Sequence, residues 1–319
     1  MRVIRKQEPG GERVLALGTF DGVHRGHQKL LETGKAYATG HGIPLRACSF
    51  DRHPLEVLCP EKAPKLLTTL AEKTELMQQC QVDELLLMPF TRETADREPE
   101  DFLLQLRDSV ILRAVVAGWN YTFGKGGRGN AEMLREDGRK HGYRVLIVPP
   151  VKDGTGEIIS SSLVRSRLQE GKIEDAEKLL GHHYSLRGRV TDGKHMGHRI
   201  GMPTANVQTA PSKQLPAFGV YPGIAAIAGH RWAAAVNIGV QPTLPSGRVT
   251  VEAHILDDEP DLYGKEIRLM LGNRIRTERK FGSPEELTCQ IRKDMEDVRK
   301  WIRWSEIGQF AALQGNGRE

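Results

Sequence analysis

No run of about 18 apolar residues occurs anywhere in the chain, so no transmembrane helix is expected. The first residues, Met1-Arg2-Val3-Ile4-Arg5-Lys6-Gln7-Glu8, lack the apolar core of a signal peptide. Cysteine is scarce. The four that occur, Cys48, Cys59, Cys80 and Cys289, have no paired spacing. That excludes a disulfide framework and a zinc ribbon, and it reads as reduced thiols in a cytoplasmic protein. Aromatic residues make up 6% of the chain, and no basic run has aromatics interleaved with it. Nucleic acid is therefore not expected as a partner, nor is a membrane. The net charge of +5 is spread among acids and suits polyanionic small ligands. Oligomeric state is left open by this composition.

What is present is enough for two domains: 319 residues, 39% hydrophobic and 27% charged. The first half alternates strand and helix. Val14 to Leu17 reads as a buried strand, and Gly26 to Tyr37 as a helix. Pro44–Phe50, Asp83–Met88, Leu112–Ala117 and Tyr143–Val148 read as strands. Thr69–Cys80, with Leu70, Leu76, Met77 and Cys80 in helical spacing, reads as a helix, as do Pro99–Arg107 and Ala131–His141. This alternation predicts a parallel α/β sheet, whose ligands bind beyond the carboxyl ends of the strands.

The polar residues after each apolar run form one set. Leu17-Gly18-Thr19-Phe20-Asp21-Gly22-Val23-His24-Arg25-Gly26-His27 places a glycine-rich turn where a helix begins. Backbone N–H groups and the positive end of the helix dipole meet there, as an anion site requires. Two histidines three apart also suit a surface loop or half of a metal site. The glycines and the flanking strand and helix favour phosphate. Further sets are Phe50-Asp51-Arg52-His53-Pro54, then Gly118-Trp119-Asn120-Tyr121-Thr122-Phe123-Gly124, then Ile159-Ser160-Ser161-Ser162-Leu163-Val164-Arg165. The serines suit either a helix cap or phosphate. Lys125-Gly126-Gly127-Arg128-Gly129 has the look of a phosphate cradle but lacks the Walker ending, and it suits a mobile loop at least as well.

The second half changes character after a short helix, Ile173–Leu180, and the domain boundary is placed near Tyr184. Short apolar runs follow at Leu186–Val190, Val220–Ala228, Trp232–Ile238, Val249–Leu256 and Ile267–Leu271, the pattern of a small antiparallel barrel. One long helix, Pro284–Trp304, is expected to pack on it. The tail beyond about Gly308 is expected to fray. The chemical stretch runs from Gly193 to Asn206. Its glycines, Gly193 and Gly197, allow close approach to phosphate. Thr204 and Asn206 offer hard oxygens suited to Mg²⁺. Glu252 lies in an alternating strand, facing either a site or water.

These motifs resemble, segment by segment and in order, the bacterial bifunctional riboflavin kinase/FAD synthetases. The family's Gly-x-Phe-Asp-Gly-x-His-x-Gly-His is Gly18 to His27. Phe50–Pro54, Gly118–Gly124 and Ile159–Arg165 match its further nucleotidyltransferase motifs. Gly193–Asn206, Asn237–Thr243, Val251–Asp257 and Arg276–Phe281 match its kinase motifs. The resemblance implies a Rossmann-like domain over residues 1–184 that transfers AMP from ATP to FMN, giving FAD and pyrophosphate. It implies a kinase barrel over 185–319 that converts riboflavin and ATP to FMN and ADP with Mg²⁺. In the first, His24 and His27 are catalytic, and Gly18, Phe20, Asp21, Gly22, Asn120, Ser160, Ser161 and Arg165 hold ATP. In the second, Glu252 is the base. Gly193, Gly197, Arg199, Pro203, Thr204 and Asn206 hold ATP, and Thr204 and Asn206 also hold the metal. Phe50, His53, Asn237 and Arg276 contact flavin. The chain departs from the family at His198, in place of Arg, and at Met202, Leu244 and Asp258, in place of aromatics. A transferase with another phosphorylated acceptor, or a flavin-binding regulator without turnover, remains open on the residues alone.

Overall fold

The computed structural model describes residues 1–5, 10–191, 204–240, 249–258, 260–279 and 281–304. By its internal contacts the chain divides into two units, Met1–Ser161 and Ser162–Glu319.

The first unit contains β1 (Arg2–Ile4), β2 (Gly10–Leu17), α1 (Arg25–Gly40), β3 (Leu45–Phe50), α2 (Pro54–Leu58), α3 (Leu70–Gln79), β4 (Glu84–Met88), α4 (Arg92–Ala95), α5 (Pro99–Ser109), β5 (Val110–Gly118), α6 (Ala131–His141) and β6 (Arg144–Val148). The strands form one sheet in the order β1-β4-β3-β2-β5-β6. Every neighbouring pair is parallel. A parallel sheet must be covered on both faces, and the strand sequences supply both. Val14 and Ala16 of β2 join Leu30, Leu31 and Ala38 of α1 in one core, while Leu15 and Leu17 join Leu103 and Leu106 of α5 in the other. From β2 the chain runs through β3 to β4 on one side, then crosses to β5 and β6 on the other. The carboxyl end of β2 is thus the topological switch point, where α/β sheets open a crevice. β1, α2 and α4 are additions to the elements read from sequence; all three are too short to show a period.

The second unit begins within α7 (Ser161–Gln169) and continues with α8 (Ile173–Leu180). Then come β7 (Ser185–Thr191), β8 (Ala205–Thr209), β9 (Gly219–Ile227), β10 (His230–Val240), β11 (Val249–Ile255), β12 (Glu266–Leu271) and α9 (Pro284–Trp304). The strands close into a barrel in the order β10-β11-β8-β7-β12-β9. α9 packs on β9 and β10, as its apolar face predicts. The strand that sequence reading passed over, β8, has a single fully buried residue, Val207, and so shows little alternation. α7 and α8, which the sequence groups with the first half, are bonded to the barrel side. Ala217 N–H donates to Leu168 O, Arg274 N–H to Gly171 O, and Asn273 and Glu174 exchange two hydrogen bonds. The tail after Gly308 lies outside the described residues.

Inside the sheet sits a charged triad. Glu84 Oε2 accepts from Arg46 Nε at 2.8 Å and from Arg13 Nε at 3.0 Å. The Arg46 side chain is only 2% exposed. Burial alone would push the Glu84 carboxyl up, but the hydrogen bonds and charges of Arg13 and Arg46 outweigh it and hold it low. Removing one partner of such a group strands the other charge. Glu84→Gln is therefore expected to destabilise the first unit by about 3–5 kcal/mol at pH 7. The gap from wild type should be full above the ordinary glutamate range. It should close as pH falls through the depressed value, because a protonated Glu84 is neutral too. Urea titrations at neutral and acid pH measure this; a gap that ignores pH would show that the charge is not what matters.

Candidate functional site

The turn after β2 has an unusual backbone. Phe20 (φ 52°), Gly22 (φ 81°) and Val23 (φ 40°) all lie in the left-handed region. A β-branched residue there is costly, so the surroundings must impose it. They do so through the turn's polar groups. Thr19 O accepts from Ser49 Oγ and from Lys73 Nζ, each at 2.9 Å. Asp21 O accepts from Ser161 Oγ at 2.9 Å, and Val23 O from Gln28 Nε2 at 2.9 Å. Asp21 itself is buried, and its Oδ1 accepts from the N–H groups of Leu67 (2.9 Å) and Thr68 (3.2 Å). Gly22 N–H donates to Thr68 Oγ1 at 3.1 Å. The Phe20 ring is fully buried. The side chains of Phe20 and Asp21 thus shape the turn from below.

The turn delivers His24 as the N-cap of α1, its Nδ1 accepting from His27 N–H at 3.3 Å. The first-turn N–H groups of Arg25 and Gly26 have no intrahelical acceptor and mark an anion site. The His24 and His27 rings stack at 3.8 Å, and Phe20 meets His27 edge-on at 5.3 Å. A Cβ at Gly26 would lie 3.1 Å from the His24 ring and would press on the stack. Burial first, then the charges of His24 and Lys73, hold the His27 pKa well below the ordinary histidine value. His27 is neutral at pH 7, and among the described residues its Nδ1 is buried without a partner. His24 Nδ1 accepts the cap bond, so any donation from that ring is through Nε2.

Beside the turn lies a cleft lined by Thr19, Asp21, Ser49, Phe50, Asp51, Arg52, His53, Leu66, Thr68, Leu70 and Lys73. Phe50 stands at the end of β3 with its ring edge-on to Phe90 at 4.8 Å. His53 caps α2, its Nδ1 accepting from Leu55 N–H at 3.2 Å. Ser161 opens α7, and Arg165 lies one turn further along that helix. Asn120 is exposed just beyond β5. The glycine-rich Lys125–Gly129 stretch is a closed turn: Lys125 N–H donates to Arg97 O, Gly127 N–H to Gly124 O and Gly129 N–H to Phe123 O. These three backbone donors are used within the protein and not turned to a phosphate. Lys73 escaped the sequence reading, although a signal existed: a lone charge spaced with Leu70 and Met77 on the apolar side of α3.

In the barrel, strand register gathers a second set. Asn206 of β8 pairs with Glu252 of β11, and Glu252 pairs with Asn237 of β10. Asn237 pairs in turn with Val220 of β9, which bridges to Arg276. Residues directly opposite on neighbouring strands share a face about 5 Å apart. One row across four strands therefore carries Asn206, Glu252 and Asn237 and ends at Arg276. Val251, Ala253 and Ile255 point the other way, into the core. His254 pairs with Ala235, one step along. The Arg276 guanidinium is clamped by Asp294 of α9, with Nε–Oδ1 at 2.9 Å and Nη2–Oδ2 at 2.8 Å. Asp294 is buried and also accepts from Gln290. Thr204, two residues before Asn206, is half-buried at the entry to β8. Gly193, Gly197, Arg199 and Pro203, with His198, Met202 and Leu244, lie outside the described residues. Asp258 accepts from Trp232 Nε1 at 2.7 Å.

A family model for FAD synthetase matches residues 6–163, and one for riboflavin kinase matches residues 180–302. The bifunctional riboflavin kinase/FMN adenylyltransferase of Escherichia coli (strain K12) is 35% identical over 95% of this chain and 98% of its own length. That of Bacillus subtilis (strain 168) is 36% identical over 93% and 94%. A crystal structure described as a macrolide-efflux protein from Streptococcus pneumoniae is 32% identical, with a TM-score of 0.83 over 91% of this chain and 95% of its own. Among the described residues, no helix is long and apolar enough to cross a membrane. With both family models in order and relatives matched along nearly their full length, the chain belongs to the bifunctional riboflavin kinase/FMN adenylyltransferases.

Proposed function

We propose that residues 1–184 carry adenylyl transfer and residues 185–319 carry riboflavin phosphorylation, each with the side chains gathered above. What supports the reading is that one chain holds both a capped helix N-terminus with two stacked histidines and a barrel row centred on Glu252. The two reactions run in sequence: riboflavin and ATP give FMN and ADP, then FMN and ATP give FAD and pyrophosphate.

In adenylyl transfer the phosphate of FMN is itself the nucleophile, so no protein nucleophile is required. One of its oxygens bonds to the α-phosphorus of ATP as the bond to the β-phosphate oxygen breaks. The electron pair leaves with pyrophosphate. The task of the protein is to place the two substrates and to stabilise that departing charge. The N–H groups of Arg25 and Gly26, His24 Nε2 and a ring N–H of His27 face it. Ser161 and Arg165 at the start of α7 complete the triphosphate contacts, with Asn120, Ser160 and the backbone of Gly18 and Gly22. Phe50 and His53 hold the flavin.

In the kinase the ribityl hydroxyl attacks the γ-phosphorus. Glu252 takes its proton, and ADP leaves. Asn237 and Arg276 contact the flavin from the same row. Thr204 and Asn206 offer hard oxygens beside Glu252, a donor set that fits Mg²⁺ with nucleotide phosphates. The ion neutralises phosphate charge when bound. Four unpaired cysteines fit a reducing, cytoplasmic setting.

Three outcomes are expected. His27→Ala should cut FAD formation from FMN by about a hundredfold or more and leave FMN formation from riboflavin unchanged, since one such donor supplies roughly that much. An unaltered FAD rate would remove His27 from the mechanism. Glu252→Gln should lower FMN formation by about a hundredfold or more, while FAD formation from supplied FMN persists. A loss under about tenfold, or a larger loss from His254→Gln, would displace Glu252 as base. Fragments 185–319 and 162–319 should both phosphorylate riboflavin and make no FAD. The longer should melt higher, because it keeps the bonds from α7 and α8 to the barrel. A fragment that makes FAD would refute the division.

A further inference from the structure

We propose that Lys73 is the contact for the acceptor's phosphate: its ammonium, in the wall of the cleft beside the strained turn, fixes the FMN phosphate next to the ATP α-phosphorus. This rests on the reading of the first unit as an FMN adenylyltransferase, and names the group that receives its second substrate.

The argument begins with hydrogen-bond capacity. An ammonium has three donors. Lys73 spends one on Thr19 O at 2.9 Å and directs a second at Ser49 Oγ at 3.5 Å. Among the described residues no third acceptor is in reach, and the group lines the open cleft. Burial pushes its pKa down while the charge of Asp21 pushes it back up, so the cation is poorly hydrated. A poorly hydrated cation with a spare donor at the wall of a cleft is a site for an anion.

Position then decides which anion. The two carboxylates of the cleft have partners of their own. Asp21 Oδ1 accepts two backbone N–H groups, and Asp51 accepts from Phe90 N–H and lies 3.5 Å from Arg52. The α1 N-terminus and its histidines do not line this cleft. In the reading above they are assigned to the triphosphate, which leaves this cleft to the acceptor. The cleft instead has apolar walls at Phe50, Leu66 and Leu70, suited to a planar ring system. A ligand with a flat apolar body and one phosphate fits it, with the phosphate at Lys73. Because Lys73 is tied to Thr19 O, that phosphate arrives beside the turn that leads into α1. The transfer is the one written above: the acceptor oxygen bonds to the α-phosphorus and pyrophosphate departs. Lys73 carries no proton in that step. It holds the nucleophile.

The test uses the full-length enzyme and reads FAD formation from FMN and ATP. A wild-type chain that forms no FAD would refute the underlying activity, and that control comes before any variant. Lys73→Met is expected to raise KM for FMN about 10- to 100-fold, the range of one charge-assisted hydrogen bond. KM for ATP should hold within about threefold. Lumiflavin, which has the ring system and no phosphate, should inhibit variant and wild type equally. Lys73→Arg should restore most of the FMN affinity. A rise in KM for ATP alone would assign Lys73 to the nucleotide. Equal weakening of FMN and lumiflavin would make it a support for the cleft wall, and no change would end its role. Should Lys73→Met fail to fold, acetic anhydride labelling of the wild-type Lys73 amine decides. Protection by FMN and not by lumiflavin is expected; equal protection by both overturns the proposal.

Discussion

The adenylyl-transfer half depends on keeping three left-handed residues within a stretch of four: Phe20, Gly22 and Val23. Non-glycine residues in that region cost about 1–3 kcal/mol each. The cost is met by the Asp21 carboxylate, which ties the turn to Leu67 and Thr68, and by side chains from β3, α1, α3 and α7 that occupy its carbonyls. The result is that these carbonyls are occupied within the protein, which leaves the start of α1 with the N–H groups proposed above to meet phosphate. Relaxing the turn would bring carbonyl oxygens toward phosphate, and the site would repel what it must bind.

The kinase half solves the same problem with pairing. A barrel strand alternates its faces, so one register places Asn206, Glu252 and Asn237 side by side with no loop involved. A rigid mount suits the role of base proposed for Glu252. Slipping β11 by a single residue would turn Glu252 into the core and Val251 out. The α9 helix joins this site through Asp294, which sets the direction of Arg276. This is why a helix that carries none of the matched motifs belongs with the barrel.

Much of this is legible in the chain. The strand–helix alternation, the turn at Gly18–His27 and the long α9 follow from period and glycine placement. Other parts are not local. Asp21 and Phe20 stand in the motif, but the Asp21 carboxylate is bonded to backbone 46 and 47 residues away and the Phe20 ring is buried, and neither feature is readable from the motif itself. Lys73 was hidden because a charge among apolar residues is usually discounted as solvated. The row through Glu252 could not be read because register is set by strand pairing, which no single strand encodes. The α7 and α8 helices were grouped with the first half by sequence order, while their hydrogen bonds to Ala217, Asn273 and Arg274 are made far along the chain.

The central claim is that one chain carries two separate phosphorus chemistries, one at the γ-phosphate of ATP and one at the α-phosphate. Position-labelled ATP measures this directly. With riboflavin and γ-labelled ATP, label should enter FMN first and then persist in FAD. With α-labelled ATP, label should enter FAD and never FMN. Label from the α position in FMN, or FAD that carries no α label, would contradict the account.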